Sequence, residues 1–381
     1  MIRLLTIIGA RPQIIKAAAI SRAIKNHFSD KIEEKILHTG QHYDDNMSKV
    51  FFDELGIPAP DYNLGVGSGK HGEQTAKIIV GVEEVLLSEH FDGVIVYGDT
   101  NSTLAAAVAA SKLHIPLFHI EAGLRSFNMT MPEEINRIVC DQLSSILFAP
   151  TETAIDNLRK EGFMTSPAKF AGGKGRLVVN SGDVMYDNSM YFASIAEGKS
   201  SILKENNLIS RKYILTTIHR PVNTDSPERL TSILEGLISI AETHNEDLVF
   251  PLHPRTRNLL EKNLKADVYQ KLMTSPRVKI LPPASFFDII VLEKNAHIVM
   301  TDSGGVQKES FFFEKPCVIL RGETEWVEIV THGAGIIADA DGDTIKEAYN
   351  KLSGQSVSFP RLFGDGNAAT KILDTILEYL A

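Results

Sequence analysis

Residues 93–112 read GVIVYGDTNSTLAAAVAASK, and they set the grammar of the whole chain. Val94–Tyr97 is an apolar, β-branched run, long enough for a buried strand and too short for a buried helix. Gly98 and Asp99 break it, Asn101, Ser102 and Thr103 supply helix-start chemistry, and a helix is predicted over Ser102–Ser111. Strand, polar turn and helix in so short a span make one βα unit of a parallel sheet.

The unit recurs in both directions. Strands are predicted at Leu4–Ile8, Glu34–His38, Leu117–Ile120 and Ile146–Ala149, with helices at Gln13–Asn26 and Pro132–Leu143. The second half restarts with strands at Tyr213–Thr217, Leu248–Pro251, Val278–Leu281, His297–Thr301 and Cys317–Leu320. Helices fit Arg229–Thr243, Phe287–Asn295, Val306–Phe313 and an amphipathic Ala368–Leu380. Small and polar residues over 166–189 read as a hinge. The expected architecture is α/β, two lobes facing across a cleft, which is a usual place for a ligand.

Composition narrows the function classes. The 381 residues carry a net charge of -9, which argues against coating nucleic acid or an anionic membrane. A few local cations and helix dipoles still suffice for a small anionic ligand. Only Cys140 and Cys317 occur, without CxxC spacing, so neither a disulfide framework nor a cysteine-rich zinc site is expected. The apolar start ends at Arg11, too soon for a signal peptide, and no run is long enough to span a bilayer. A soluble cytoplasmic protein is expected.

The strand ends carry the chemistry. In HIVMTDSGGVQKES (297–310) a strand runs through Asp302 and Ser303 into Gly304, Gly305 and a helix. Such a turn lets backbone N–H groups and the helix dipole meet an anion, although it also serves as an ordinary cap. Glu309, about one turn in, is placed to accept from ribose hydroxyls. TTIHRPVN (216–223) leaves His219 and Arg220 at another strand end, and PLHPRTRN (251–258) adds His253, Arg255 and Arg257. Together they favour a diphosphate site, because ligands of open α/β sheets gather outside the carboxyl ends of the strands.

The first half supplies acids and two cations. GARPQIIK brings Arg11 and Lys16, VYGDTNST ends a strand at Asp99, HIEAGLRS ends another at Glu121 and Arg125, and MPEEINR opens a helix with Glu133 and Glu134. The i,i+4 spacing lets Glu133 and Arg137 share a helix face. A carboxylate at a buried strand end is costly unless partnered or used, which singles out Asp99 and Glu121. Other motifs fail. Gly67, Gly69 and Gly72 match GxGxxG with no preceding strand, EGKS (197–200) has Ala193 where a P-loop needs glycine, and His38 with His42 matches no strong metal template.

GARPQIIK, HTGQHYD, YGDTNSTLAAA, HIEAGLRS, MPEEINR, LFAPTE, TIHR and TDSGGVQKE together resemble the non-hydrolysing UDP-N-acetylglucosamine 2-epimerases from Gly9 to about Glu328. The resemblance implies two Rossmann-like domains in the GT-B arrangement, over 1–180 and 181–365, with the segment 366–381 packing on the first. It implies a cleft that closes on a UDP-sugar, a homodimer, and no metal or nicotinamide cofactor. Carried over by position, it assigns UDP to Arg11, His219, Ser303, Gly304, Gly305 and Glu309, and sugar chemistry to Lys16, Asp99, Glu121, Glu133, Arg137 and His219. His253 is expected at the substrate, and Phe286 or Phe287 on the uracil.

Three segments depart from the family pattern: SFNMTMP (126–132), RGETEWVE (321–328) and GVGSGKHGEQT (65–75). The last bears on a second, activating UDP-sugar site, of which Gln41, His42 and Gln74 are candidate survivors. These departures resemble the branch acting on UDP-2,3-diacetamido-2,3-dideoxy-glucuronic acid. The expected chemistry is loss of UDP to a 2-acetamidoglucal and re-addition after protonation on the opposite face. A hydrolysing epimerase, a GT-B glycosyltransferase and a non-catalytic UDP-sugar sensor stay open at this point.

Overall fold

Each apolar run picked out above becomes a strand, and the seven-residue β1 at Ile2–Ile8 lies inside its sheet with Leu4, Leu5, Ile7 and Ile8 all 0–1% exposed. The computed structural model describes residues 1–40, 56–163, 173–252 and 254–381. These form two units, Met1–Asn188 with Arg361–Ala381, and Ser189–Pro360. The C-terminal helix Ala368–Leu380 belongs to the first, where Tyr379 meets Phe118 edge to face.

The first unit's sheet also contains β2 (Ile32–His38), β3 (Tyr62–Asn63), β4 (Gly93–Tyr97), β5 (Leu117–Ile120), β6 (Ile146–Ala149) and β7 (Leu177–Asn180). Their order is β3-β2-β1-β4-β5-β6-β7, every neighbour parallel. The direction of winding reverses between β1 and β4, the position at which doubly wound sheets open a crevice. Helices His71–Ser88 and Asn101–Lys112 cover one face, burying Ile78, Val82 and Leu86 and the stripe Ala105, Ala106, Ala107, Ala109 and Ala110. Alanine favours the helix and lets its backbone lie close to the sheet.

The second unit has the same plan. Strands β8 (Tyr213–Thr217), β9 (Asp247–Pro251), β10 (Val278–Leu281), β11 (Ile298–Thr301), β12 (Cys317–Ile319) and β13 (Gly335–Ile337) lie in the order β10-β9-β8-β11-β12-β13, again all parallel. Its switch point lies between β8 and β11. Ile214, Leu248, Phe250, Ile298, Met300 and Val318 pack there against Leu230, Leu234 and Leu237 of helix Pro227–His244 and Ile345 and Tyr349 of helix Gly342–Ser353. Each Leu, Ile, Val, Met or Phe among them contributes about 1.5–3 kcal/mol when fully buried.

Several elements differ from expectation. The glycine-rich segment does follow a strand, because β3 pairs Tyr62 with Leu37 and Asn63 with His38, and it leads into helix His71–Ser88. Two residues give no apolar run to read. The segment read as a hinge carries β7 and the start of helix Val184–Lys199, and the division between the two units, after Asn188, falls at its end. The first helix ends at Ala23 and passes into a π-turn over Ile24–Phe28. Gln41 and His42 lie outside the described residues. No helix of the described residues is long and apolar enough to cross a membrane.

One buried amide ties the first switch point together. Gln13, 1% exposed, accepts from the Gly9 and Ala10 N–H groups at 2.9 and 3.1 Å and donates to the Tyr97 carbonyl and Thr103 hydroxyl at 2.9 and 3.0 Å. Gly9 is required by close approach: a Cβ there would stand 2.2 Å from both Ser102 Oγ and Thr39 Oγ1, which bond each other at 2.8 Å. Gly9→Ala is expected to lower stability by about 1–3 kcal/mol in denaturant unfolding, and a second change, Ser102→Ala, should recover part of the loss. An unchanged midpoint in Gly9→Ala would refute this packing account.

Candidate active site

In the first unit the polar residues gather at the carboxyl ends of β1, β4 and β5. Arg11 opens helix Arg11–Ala23 and is exposed. Five residues on, Lys16 turns inward and forms an ion pair with Glu121, the two side chains only 12% and 9% exposed. Glu121 follows β5 with φ +71, a left-handed conformation that a non-glycine residue adopts at a cost of order 1 kcal/mol. The Glu121 N–H is fixed on the Phe148 carbonyl at 3.1 Å. Gly98, with φ +60, leaves the room: a Cβ there would lie 3.1 Å from both Lys16 Nζ and Glu121 Oε2.

Asp99, in the turn after β4, pairs with Arg137 of helix Pro132–Leu143. Burial opposes the Arg137 charge, but Asp99, Glu134 and Glu121 outweigh it and raise its pKa. Arg137 therefore answers to both acids singled out in the sequence, and each acid has its own cation. Asn136 adds a second tie, donating to the Asp99 carbonyl at 2.9 Å.

The adjacent glutamates divide differently from expectation. Arg137 pairs with Glu134, three residues earlier, and not with Glu133. Glu134, 1% exposed, also accepts from the Ser126 and Phe127 N–H groups at 3.0 Å each, and so anchors the 126–131 loop. Glu133 is exposed, with no hydrogen bond or ion pair to its side chain among the described residues. The helix start, in its real orientation, puts i+3 rather than i+4 over the buried face. Nothing in the PEE triplet distinguishes its two acids.

In the second unit His219 follows β8 and Ser303 follows β11, on either side of the switch point. Asp302, fully buried, brings them together: it accepts from the His219 N–H at 3.0 Å, the Arg220 N–H at 3.0 Å and Asn223 Nδ2 at 3.1 Å. The His219 side chain stays 42% exposed, its Nδ1 3.5 Å from Asp302 Oδ1. The sequence reading passed over the anchoring role of Asp302, although an aspartate directly before a helix cap is a signal for it.

Ser303 caps helix Gly304–Phe312, its hydroxyl accepting from the Val306 N–H. Neither Gly304 nor Gly305 has a left-handed φ, and a Cβ on either would meet nothing nearer than 3.6 Å. Folding therefore does not demand glycine at these positions. Their bare N–H groups are what a ligand anion needs. Around Gly304 stand the Trp326 indole, Arg321 and Glu325, with Arg321 Nη1 3.0 Å from Glu325 Oε2. Burial works against the Glu325 charge, yet Arg321 and then Arg220 keep its pKa below the usual value. Glu309 is half-buried on the same helix, and Lys308 lies over the Trp326 ring at 4.0 Å.

Of the remaining expected contacts, the one on uracil is assigned to Phe286 or Phe287. Phe286 is 7% exposed and packs edge to face on Phe192 and Phe287, with centroids 5.1 and 5.6 Å away, so its ring is committed to an aromatic core instead of presented to a base. His253 lies outside the described residues. The structure thus joins Lys16, Asp99, Glu121 and Arg137 in one unit, and His219, Ser303, Gly304, Gly305 and Glu309 in the other.

Comparison with known proteins agrees with this layout. A family model described as UDP-N-acetylglucosamine 2-epimerase matches residues 23–377. The chain is 47% identical, over 98% of its length and 99% of the relative, to a UDP-N-acetylglucosamine 2-epimerase homolog of Methanococcus maripaludis. It is 48% identical, over 100% of its length and 99% of the relative, to a UDP-2,3-diacetamido-2,3-dideoxy-D-glucuronate 2-epimerase of Pseudomonas aeruginosa. The crystal structure of Methanocaldococcus jannaschii UDP-GlcNAc 2-epimerase in complex with UDP-GlcNAc and UDP is similar with a TM-score of 0.84 at 40% identity, covering 99% of this chain and 100% of that one. With its paired acids and bare helix start at the switch points of two doubly wound sheets, the chain belongs to the UDP-N-acetylglucosamine 2-epimerase family of isomerases.

Proposed function

We propose that the protein is a non-hydrolysing 2-epimerase that interconverts UDP-N-acetylglucosamine-type and UDP-N-acetylmannosamine-type sugars. The observation that carries this reading is the pairing of Glu121 with Lys16 and of Asp99 with Arg137 at neighbouring strand ends. The C2 hydrogen of such a sugar is not next to a carbonyl, so direct deprotonation is prohibitive. Breaking the bond from C1 to the diphosphate oxygen leaves C1 oxocarbenium-like and acidifies C2–H. Loss of that proton gives a 2-acetamidoglucal and UDP. Protonation at C2 from the other face and return of the diphosphate oxygen to C1 complete the inversion.

The two units divide the labour. Ser303, Gly304, Gly305 and His219 hold the diphosphate and take up the charge that develops on it, a role in which preorganised donors are worth several kcal/mol. Arg11 and Glu309 add contacts to the nucleotide. Asp99 and Glu121 carry the proton transfers at C2, with Lys16 and Arg137 holding the two carboxylates in place through their ion pairs. Exposed Glu133 is the third acid within this set. The segment around Arg321 and Glu325, where the chain departs from the family pattern beside Gly304, supports a second reading in which the sugar is a 2,3-diacetamido-uronic acid. The family resemblance extends the proposal to a cytoplasmic homodimer, and sedimentation should give about twice the 42.0 kDa chain mass.

Product formed in heavy water should carry deuterium at C2 by proton NMR; retention of the original hydrogen would exclude elimination. In the same assay a panel of UDP-N-acetylhexosamines and UDP-diacetamido-uronic acids identifies the substrate, and phosphorus NMR should show no stoichiometric build-up of free UDP. Asp99→Asn and Glu121→Gln are each expected to lower kcat by roughly 100- to 10,000-fold while UDP affinity stays near wild type. Gly304→Ala should keep the melting temperature and weaken UDP binding by roughly tenfold in calorimetry. Unchanged affinity in that variant would remove the phosphate from this turn.

A further inference from the structure

Between the two acid-bearing turns of the first unit lies a buried histidine to which the reaction scheme gives no part. His119 is in β5, two residues before Glu121, and is 0% exposed. Its Nδ1 stands 2.7 Å from Asp141 Oδ1 and its Nε2 stands 2.8 Å from the Gly98 carbonyl oxygen. Both partners accept: one is a backbone carbonyl, and the other is a carboxylate whose pKa burial would raise but His119 and Arg125 hold below the ordinary value. A neutral imidazole carries one N–H, so it would set a nitrogen lone pair against an oxygen lone pair in a dry interior. Only the imidazolium, with two N–H groups, satisfies both contacts.

The surroundings balance that charge. Asp141, also 0% exposed, accepts from Arg125 Nη1 at 2.7 Å and from the Gly123 N–H at 3.2 Å on its other oxygen. Arg125 in turn makes a two-pronged pair with Glu161, at 2.7 Å on each oxygen. His119 and Arg125 are thus matched by Asp141 and Glu161, and the Cys140 thiol is the remaining titratable group facing the ring. Burial opposes the imidazolium, but Cys140 and Asp141 hold its pKa well above the ordinary histidine value.

The contacts have a geometric consequence. Gly98 immediately precedes Asp99, so one N–H of His119 pins the turn that carries the first acid. The other reaches Asp141, which holds the Gly123 N–H and so the loop that carries Glu121 in its left-handed conformation. Resting on the reading of Asp99 and Glu121 as the sugar-facing acids, we propose that His119, held as an imidazolium, is a positioning residue that fixes the spacing between their two turns.

Selective 15N-histidine labelling of the full chain tests the charge without any substitution. Both ring nitrogens of His119, assigned by the signals lost in His119→Asn, should stay protonated across about pH 5 to about pH 8, the range in which a free histidine loses its charge. A ring with one proton at neutral pH overturns the proposal. In folded His119→Asn and Asp141→Asn, kcat should fall on the order of 100-fold, the scale of a misplaced reacting group, with UDP affinity within about twofold of wild type. Wild-type turnover in either variant, or equal losses of turnover and UDP affinity, would equally overturn it. If Asp99→Asn and Glu121→Gln turn over normally while the two-proton signature persists, the failure lies in the assignment of the acids and not in the clamp.

Discussion

A carboxylate taken out of water at the end of a buried strand must find a cation or several N–H groups, and this requirement organises both units. In the first unit Glu121 finds Lys16, Asp99 finds Arg137, and Asp141 finds His119 and Arg125. In the second, Asp302 meets the same need with two backbone N–H groups and the Asn223 amide, and in doing so shapes the turn that carries His219. The difference matters for chemistry. An acid held by a side-chain cation can exchange that partner for a substrate proton, whereas one enclosed by backbone donors cannot.

Left-handed backbone also stands where those pairs meet. Glu121 holds a left-handed φ, Gly98 holds another, and the absent Gly98 side chain leaves room for the Lys16–Glu121 pair. Such a conformation persists only when neighbours over-determine it. The Gln13 amide, the Phe148 carbonyl and the His119–Asp141 pair supply that constraint from three sides. The helix start at Gly304 and Gly305 shows the opposite logic. It is unstrained and would accept an alanine, so the missing side chains answer to a ligand and not to the fold.

The same contrast separates what was legible in the sequence from what was not. The central strands were legible because a strand buried on both faces must be continuously apolar; β8 and β5 lie at Tyr213–Thr217 and Leu117–Ile120 as read. Of the four edge strands, β10 was read at Val278–Leu281, but β3, β7 and β13 were not, since two to four residues on a sheet margin leave little apolar run to read. Helix His71–Ser88 was hidden by Gly72 and Gly81 in its pattern, although Gly81 is there to let Leu64 pack against it.

By itself, then, the sequence determined the alternation of strand and helix, the two-unit plan, and which polar residues stand at strand ends, because periodicity and turn chemistry are local. Only tertiary structure decided which acid meets which cation. Arg137 chose Glu134 and Asp99 over Glu133, Phe286 went to an aromatic core, and His119 became charged through oxygens 21 and 22 residues away. Those choices depend on strand order and helix rotation, which bring distant residues within hydrogen-bonding distance, and no local pattern encodes them.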